Sequence, residues 1–239
     1  MKFIGHLDVM RYFQKAIRRA DVDVCYSGGF SPHQIMSFAA PLGVGNTSNG
    51  EYVDIEVSST KDSETMKKCL NGVMSEGFEV VSYRGLPDDA ANAMSIVGAG
   101  DYTLASRPGY EPEDMDKETW FQGLIAFFER PSVMVTKKTK RGDKEMDLKP
   151  LVYELRICPE GDGEMEGPRL FMKISAGSAA NVKPEQVLDA YYGFLGKERP
   201  PFAFMVQREE VYADRASDAE KEAGIHSFIS LEQLGEEIR

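Results

Sequence analysis

The stretch Glu51-Tyr52-Val53-Asp54-Ile55-Glu56-Val57, EYVDIEV, decides the fold. Val53, Ile55 and Val57 alternate with Asp54 and Glu56, so one side of the segment is apolar and the other charged. Side chains alternate across a strand with a period of two, so this run is a half-buried β-strand with one face on a core. A turn cluster, Asn46 to Gly50, precedes it. Before that, Ile35 to Val44 reads as a strand that Pro41 disturbs. Further upstream, Leu7, Met10, Phe13, Ile17 and Ala20 recur at steps of three and four, giving a helix with one apolar stripe. Arg11, Lys15, Arg18 and Arg19 fall on its other side. Downstream, Met66, Cys69, Leu70, Val73 and Met74 form a second helical stripe stopped at Gly77, and Phe78 to Tyr83 returns as a strand. With Lys2-Phe3-Ile4 as a short first strand, the order is strand, helix, two strands, helix, strand. That is the split β-α-β unit of ferredoxin-like folds.

Past a small-residue run, Gly85 to Gly98, the pattern resumes. Tyr102 to Ser106 is a strand, and Asp116 caps a helix carrying Trp120, Leu124, Phe127 and Phe128 until Pro131 ends it. Strands follow at Val133 to Thr136, Leu151 to Ile157 and Leu170 to Ile174. Pro184 opens a helix closed by Gly196, and Met205 to Tyr212 is the last strand. Ser230 with Gln233 has the spacing of a capping box. The expected architecture is α+β: two tandem ferredoxin-like domains with antiparallel sheets, over 1–88 and 101–213. A linker over 89–100 joins them, and an acidic tail follows over 214–239.

Composition excludes several classes. The 239 residues are 42% hydrophobic and 28% charged, an ordinary globular mixture. No apolar run approaches the roughly 18 residues of a membrane helix, and no basic-then-apolar leader precedes Lys2, so the cytoplasm is the expected location. Cys25, Cys69 and Cys158 are odd in number and far apart, unlike a disulfide framework, a zinc site or an iron–sulfur motif. No cofactor and no metal are expected. The net charge of −11 argues against a general nucleic-acid binder. Nine of the acidic residues lie after position 208, however, so the body is closer to neutral and can carry local basic patches.

Two histidines draw attention among three. His6 precedes the first helix, where a capping role is the simpler reading. His33 follows Tyr26-Ser27-Gly28-Gly29-Phe30-Ser31-Pro32, whose glycines permit a sharp turn and whose proline restrains the chain. A histidine so restrained could act as a general acid or base or contact a ligand; otherwise it bonds a carbonyl. Gly43-Val44-Gly45-Asn46 superficially resembles a phosphate loop, but no Gly-Lys-Ser/Thr follows and the next element is a strand. Lys137-Lys138-Thr139-Lys140-Arg141-Gly142-Asp143-Lys144 is a basic island in an acidic protein, either a phosphate-gripping arm or a solvated hairpin tip.

The blocks GHLDVMRYFQKAIRRA, YSGGFSPHQIMSFAAPLGVG, GEYVDIEV and KKTKRGDKEMDLKPL, in that order, together resemble the radical-SAM-linked proteins, a bacterial domain family of unknown function. The likeness runs from residue 1 to about 210. It implies a partner of a separate radical SAM enzyme, encoded beside it or fused to it, often near a ribonuclease of the E/G type; it brings no catalytic role. Among the matching positions are His6, Arg11, Tyr26, Ser27, Gly29, His33 and Lys140. Two functions follow as expectations. The first is a non-catalytic accessory module that binds substrate, RNA being the candidate. Its contacts would be His6, Arg11, Tyr26, Ser27, Gly29 and His33 together with Lys138, Lys140, Arg141 and Lys144. The second is an RNA-processing or RNA-modifying enzyme with His33 as general base and Lys140 or Arg141 steadying the phosphate, an analogy at the level of fold.

Overall fold

The computed structural model describes residues 2–112, 114–139, 142–161, 165–177 and 180–239, with backbone alone at 137–139 and 159–160. Helix α1 (His6–Arg19) holds Asp8 in its first turn and Arg18 and Arg19 in its last, matching the helix dipole. It is followed by β1 (Met36–Phe38), β2 (Thr47–Ser48), β3 (Val53–Ile55), α2 (Ser63–Asn71) and the single turn α3 (Ala93–Ile96). Strands β1 and β3 pair antiparallel, placing Met36 opposite Ile55 and Phe38 opposite Val53. Met36, Ile55 and Val57 pack on Ile17, Val22, Val24, Met66 and Leu70, so both helices cover the apolar side of EYVDIEV. Asp62 caps α2, its carboxylate accepting from the Thr65 N–H.

The first half nevertheless has a two-stranded ladder where four strands are expected. Residues 2–3 form a turn whose Lys2 carbonyl accepts from the Gly45 N–H. Residues 78–83 carry no ladder, because the Asn71 side-chain amide takes both Val80 backbone groups, each at 2.8 Å. Beyond Phe38 the strand ends before Pro41, and the Ala40 and Pro41 carbonyls turn to the Arg208 guanidinium.

The second half begins with β4 (Val97–Ser106), inside the expected linker, and continues through α4 (Lys117–Phe128), β5 (Met134–Thr139), β6 (Gly142–Asp147), β7 (Val152–Gly161), β8 (Gly167–Ser175), α5 (Pro184–Phe194) and β9 (Phe204–Asp214). The Asp116 cap is present, bonded to the Thr119 N–H at 2.8 Å. Pro184 occupies the first position of α5, and Gly196 beyond its end has φ +69°. Strands β9, β4, β8 and β7 lie in that order, each antiparallel to its neighbours, with α4 and α5 packed on one face. Trp120, Phe121, Leu124, Leu170, Ile174 and Leu188 belong to this core. Strands β5 and β6 pair with each other as a separate hairpin.

Two additions make the sheet six-stranded and mixed. β2 joins β9 in parallel, and β10 (Phe228–Ser230) joins its other end antiparallel. The segment expected as a tail is thus folded against both halves. After α6 (Asp218–Glu222) and β10, Leu231 is buried, Gly85 bridges Glu236, and Ser63 exchanges two hydrogen bonds with Ile238. Ser230 precedes the short 3₁₀ turn Leu231–Leu234 without a side-chain cap bond.

Candidate functional site

A cleft of about 2080 Å³ runs between the halves. Val9, Phe13 and Ile17 of α1 lie along it, the β1–β3 ladder contributes a second wall, and residues 77–93 and 231–238 close the far side. The volume follows from the short ladder: among the described residues no further strand extends it, and residues 77–93 and 231–238, joined by the Gly85–Glu236 bridge, border the space instead.

At one end stands the 26–34 hairpin. The Ser27 N–H donates to the His33 carbonyl at 2.8 Å, and Tyr26 and Gln34 form an antiparallel bridge. Gly29, at φ +99°, supplies the left-handed turn that other residues adopt at a cost. The Ser27 hydroxyl is the organising group. It accepts the His33 N–H at 3.1 Å and lies 2.8 Å from His33 Nδ1. A hydroxyl holding one N–H can still give its own proton to Nδ1, and in that tautomer the ring proton sits on Nε2. His33 is exposed and borders the cleft, while Phe30 at the tip is fully exposed and Tyr26 half so. Gln34 differs: it is 5% exposed, and neither polar atom of its amide has a partner. It also borders the cleft.

His6, at the start of α1, borders the same cleft with its ring edge-on to Phe38 at 5.4 Å. Near it Glu51 pairs with Arg208 of β9 at 2.7 Å. Burial pushes the Glu51 carboxyl above its usual range, and the Arg208 guanidinium and the Ser48 hydroxyl pull it partly back. Burial works against the Arg208 charge as well, but Tyr102 and Glu51 outweigh it and hold the guanidinium more firmly protonated. Tyr52 donates to Glu210 at 2.7 Å, and Asp54 accepts the Ala93 N–H at 2.7 Å. Glu51 and Tyr52 of EYVDIEV are therefore a clasp between the halves, and Asp54 ties α3 to β3.

The other expected contacts are elsewhere. Arg11 is exposed and reaches Asp8 at 3.4 Å. Lys144 is exposed on β6, opposite Lys137, and Lys138 stands opposite Asp143. Lys140 and Arg141 lie outside the described residues. Among the described residues none of the hairpin borders the cleft. The fold thus brings His6 and His33 to one cleft, with Tyr26, Ser27 and Gly29 in the hairpin that carries His33, and the described residues of the basic arm do not border it.

Sequence reasoning passed over two polar clusters. His226 Nδ1 lies 2.7 Å from Asp214, its ring stacked on Phe228 at 5.2 Å and tilted to Tyr153. Burial alone would raise Asp214, yet the bonds from His226 and the Ser227 and Ala216 N–H groups hold it low. On the sheet face away from α4 and α5, buried Asp101 accepts from the Tyr212 hydroxyl at 2.7 Å, with Lys173 at 3.7 Å. Burial raises the Asp101 carboxyl despite both. All three cysteines are free, and among the described residues no three His, Cys, Asp or Glu side chains converge as metal ligands.

These features define a mixed α+β protein in which a two-helix, two-strand unit is clasped to a larger mixed sheet around an open cleft. The chain belongs to the family described as uncharacterized protein conserved in bacteria, DUF2344, which matches residues 1–184. That span covers the cleft hairpin, the Glu51 and Tyr52 side of the clasp and the basic arm, and ends before Arg208 and Glu210. No curated protein matches the chain. Among the described residues no helix is long and apolar enough to cross a membrane.

Proposed function

We propose that the protein is a cytoplasmic accessory module that holds RNA for a separate radical SAM enzyme. The link to such an enzyme rests on the four sequence blocks and their order. The observation that carries the RNA reading is the β5–β6 hairpin, which among the described residues forms a two-stranded sheet of its own with Lys144 exposed on it. Lysine and arginine on a hairpin suit a phosphate backbone, which is recognised by charge before sequence. The strand order β9-β4-β8-β7 with α4 and α5 on one face supports a ferredoxin-like reading of 97–214.

Binding of fluorescent single-stranded RNA at increasing salt tests the proposal. With about four phosphates neutralised, log Kd should change with log salt at a slope near 2.8 in magnitude. Lys140→Ala with Arg141→Ala should lower that slope by about 1.4. Binding that is absent, or that ignores salt, removes RNA from the reading. His33 keeps the enzyme alternative in view, because Ser27 orients its ring and the residue is exposed beside the cleft. Cleavage of RNA in chelator, abolished by His33→Ala, would move the assignment to catalysis.

A further inference from the structure

Gln34 stands where the 26–34 hairpin passes into β1. The Ile35 N–H donates to the Cys25 carbonyl at 2.9 Å, and an antiparallel bridge joins Gln34 to Tyr26, so the backbone is extended here. Alternate residues of an extended chain share a side, and Gln34 therefore follows Met36 and Phe38 toward α1. Met36 packs on the cluster of Ile17, Val22 and Val24, and Phe38 meets the Phe13 ring edge to face at 5.4 Å. An amide thus stands in a row of apolar residues, 5% exposed, with neither Oε1 nor Nε2 bonded.

A buried amide that bonds nothing is rare and costs stability, which a leucine of similar size in the same place would not. The cleft of about 2080 Å³ supplies a reason for it, since Gln34 lines that space together with Ile17, Leu70 and a set of rings. His6 and Phe13 each lie edge-on to Phe38 at 5.4 Å, Phe78 lies edge-on to Phe13 at 5.6 Å, and all four rings border the cleft. Planar heterocycles stack well on such rings. Carboxylates outnumber lysines and arginines among the described residues that line the cleft. A neutral group rich in hydrogen-bond donors suits that field better than a phosphate does.

We propose that the cleft holds an adenine-like base, planar and neutral with an exocyclic amine beside a ring nitrogen, and that Gln34 reads this edge. The amide oxygen accepts from the amine while the amide nitrogen donates to the ring, the two-bond pairing glutamine makes with adenine. In the empty cleft the amide is closed to water, and rotation about its side-chain bonds brings it to the wall as the base enters. Phe13 and Phe78 give the base a surface to lie on. A free nucleoside and an unpaired base of an RNA strand present the same chemistry, the strand keeping its phosphates outside. None of the β5–β6 hairpin takes part, so the site stands whether or not that arm grips RNA.

Titration calorimetry on the full chain with adenosine and with purine riboside, which lacks the exocyclic amine, tests the site. Adenosine should bind saturably, and purine riboside about five- to a hundredfold more weakly. Gln34→Leu should keep or raise the Tm, since no buried bond is left unmade, and should bind both nucleosides alike at the weaker level. A merely structural glutamine predicts the reverse, a lowered Tm with any preference for adenosine retained. Oligoadenylate that displaces adenosine from the wild type assigns the cleft to a base of RNA; oligoadenylate that does not assigns it to a free nucleoside. Should Gln34→Leu fail to fold, the rise in wild-type Tm with adenosine, against purine riboside at equal concentration, decides instead. No saturable adenosine binding and no rise in Tm, equal binding of the two nucleosides by the wild type, or a preference that folded Gln34→Leu keeps in full overturns the proposal.

Discussion

From Tyr102 to Val206 a continuous set of nineteen buried side chains fills the space between a sheet and two helices; in the first half the corresponding set among the described residues is five, from Ile17 to Leu70. The second half is held by apolar burial in bulk. The first half is held to its neighbour by a small apolar cluster, Ala39 and Tyr52 against Val97, Val211, Ala213 and Leu231, and by directional polar bonds: Glu51 to Arg208, Tyr52 to Glu210, Ser63 to Ile238. Small cores leave little surplus over the entropy of ordering the chain, so a small unit gains from an external fastening. The cleft borders the less densely packed half, as expected of regions that adjust to ligands.

The comparison can be broken most forcefully in the larger core. Phe121→Ala removes a ring with no exposure and should cost about 3–5 kcal/mol, lowering the whole denaturant transition. A loss under 1 kcal/mol would show the second half to be less dependent on packing than described. Arg208→Ala leaves Glu51 and the Ala40 carbonyl without their buried partner and should cost about 1–3 kcal/mol. Its mark is spatial: amide exchange should accelerate across 36–57 while α4 and α5 keep their protection. Arg208→Met with Glu51→Leu should recover much of the loss, since the pair's value lies in not being broken. Uniform acceleration throughout the chain would show that the halves unfold together.

The smallest effect is a pH slope. Burial raises Asp101 above its ordinary 3.8, so the folded protein binds that proton more tightly than the unfolded chain. This group's contribution therefore strengthens as pH falls through the raised value and levels off below 3.8; it weakens as pH rises. Wild type should gain on Asp101→Asn by at most about 1.4 kcal/mol per pH unit within that window. A difference that stays flat with pH would remove Asp101 from the account.

What the sequence made legible were local signals. The Asp116 cap, the proline opening α5, the glycine closing it and the alternation of EYVDIEV all stand in the structure because each acts within a few residues. The apolar stripe of α1 has the right period, but Leu7 is 61% exposed while Val9, Phe13 and Ile17 border the cleft, since the partner surface sets the buried side. Residues 78–83 have a strand's composition, yet the Asn71 side chain claims Val80, a competition no alternation pattern encodes. The clasp left a usable trace. Phe204, Val206 and Arg208 share one strand period and are all buried, and a cation in that series calls for a carboxylate across the interface. Which carboxylate answers, 157 residues earlier, is a matter of tertiary structure. The site divides in the same way: the turn chemistry around His33 is local, whereas the meeting of His6 and His33 on one cleft depends on the tertiary fold.

The bonds between Ser63 and Ile238 span 175 residues, and those between Gly85 and Glu236 nearly as many. During synthesis, at roughly 5–20 residues per second, α1 and the β1–β3 ladder leave the ribosome many seconds before the strand that clasps them and the segment that closes over them. The half that is made first is therefore finished last, and until then its apolar helix faces stand open to chaperones and to whatever partner meets the nascent chain.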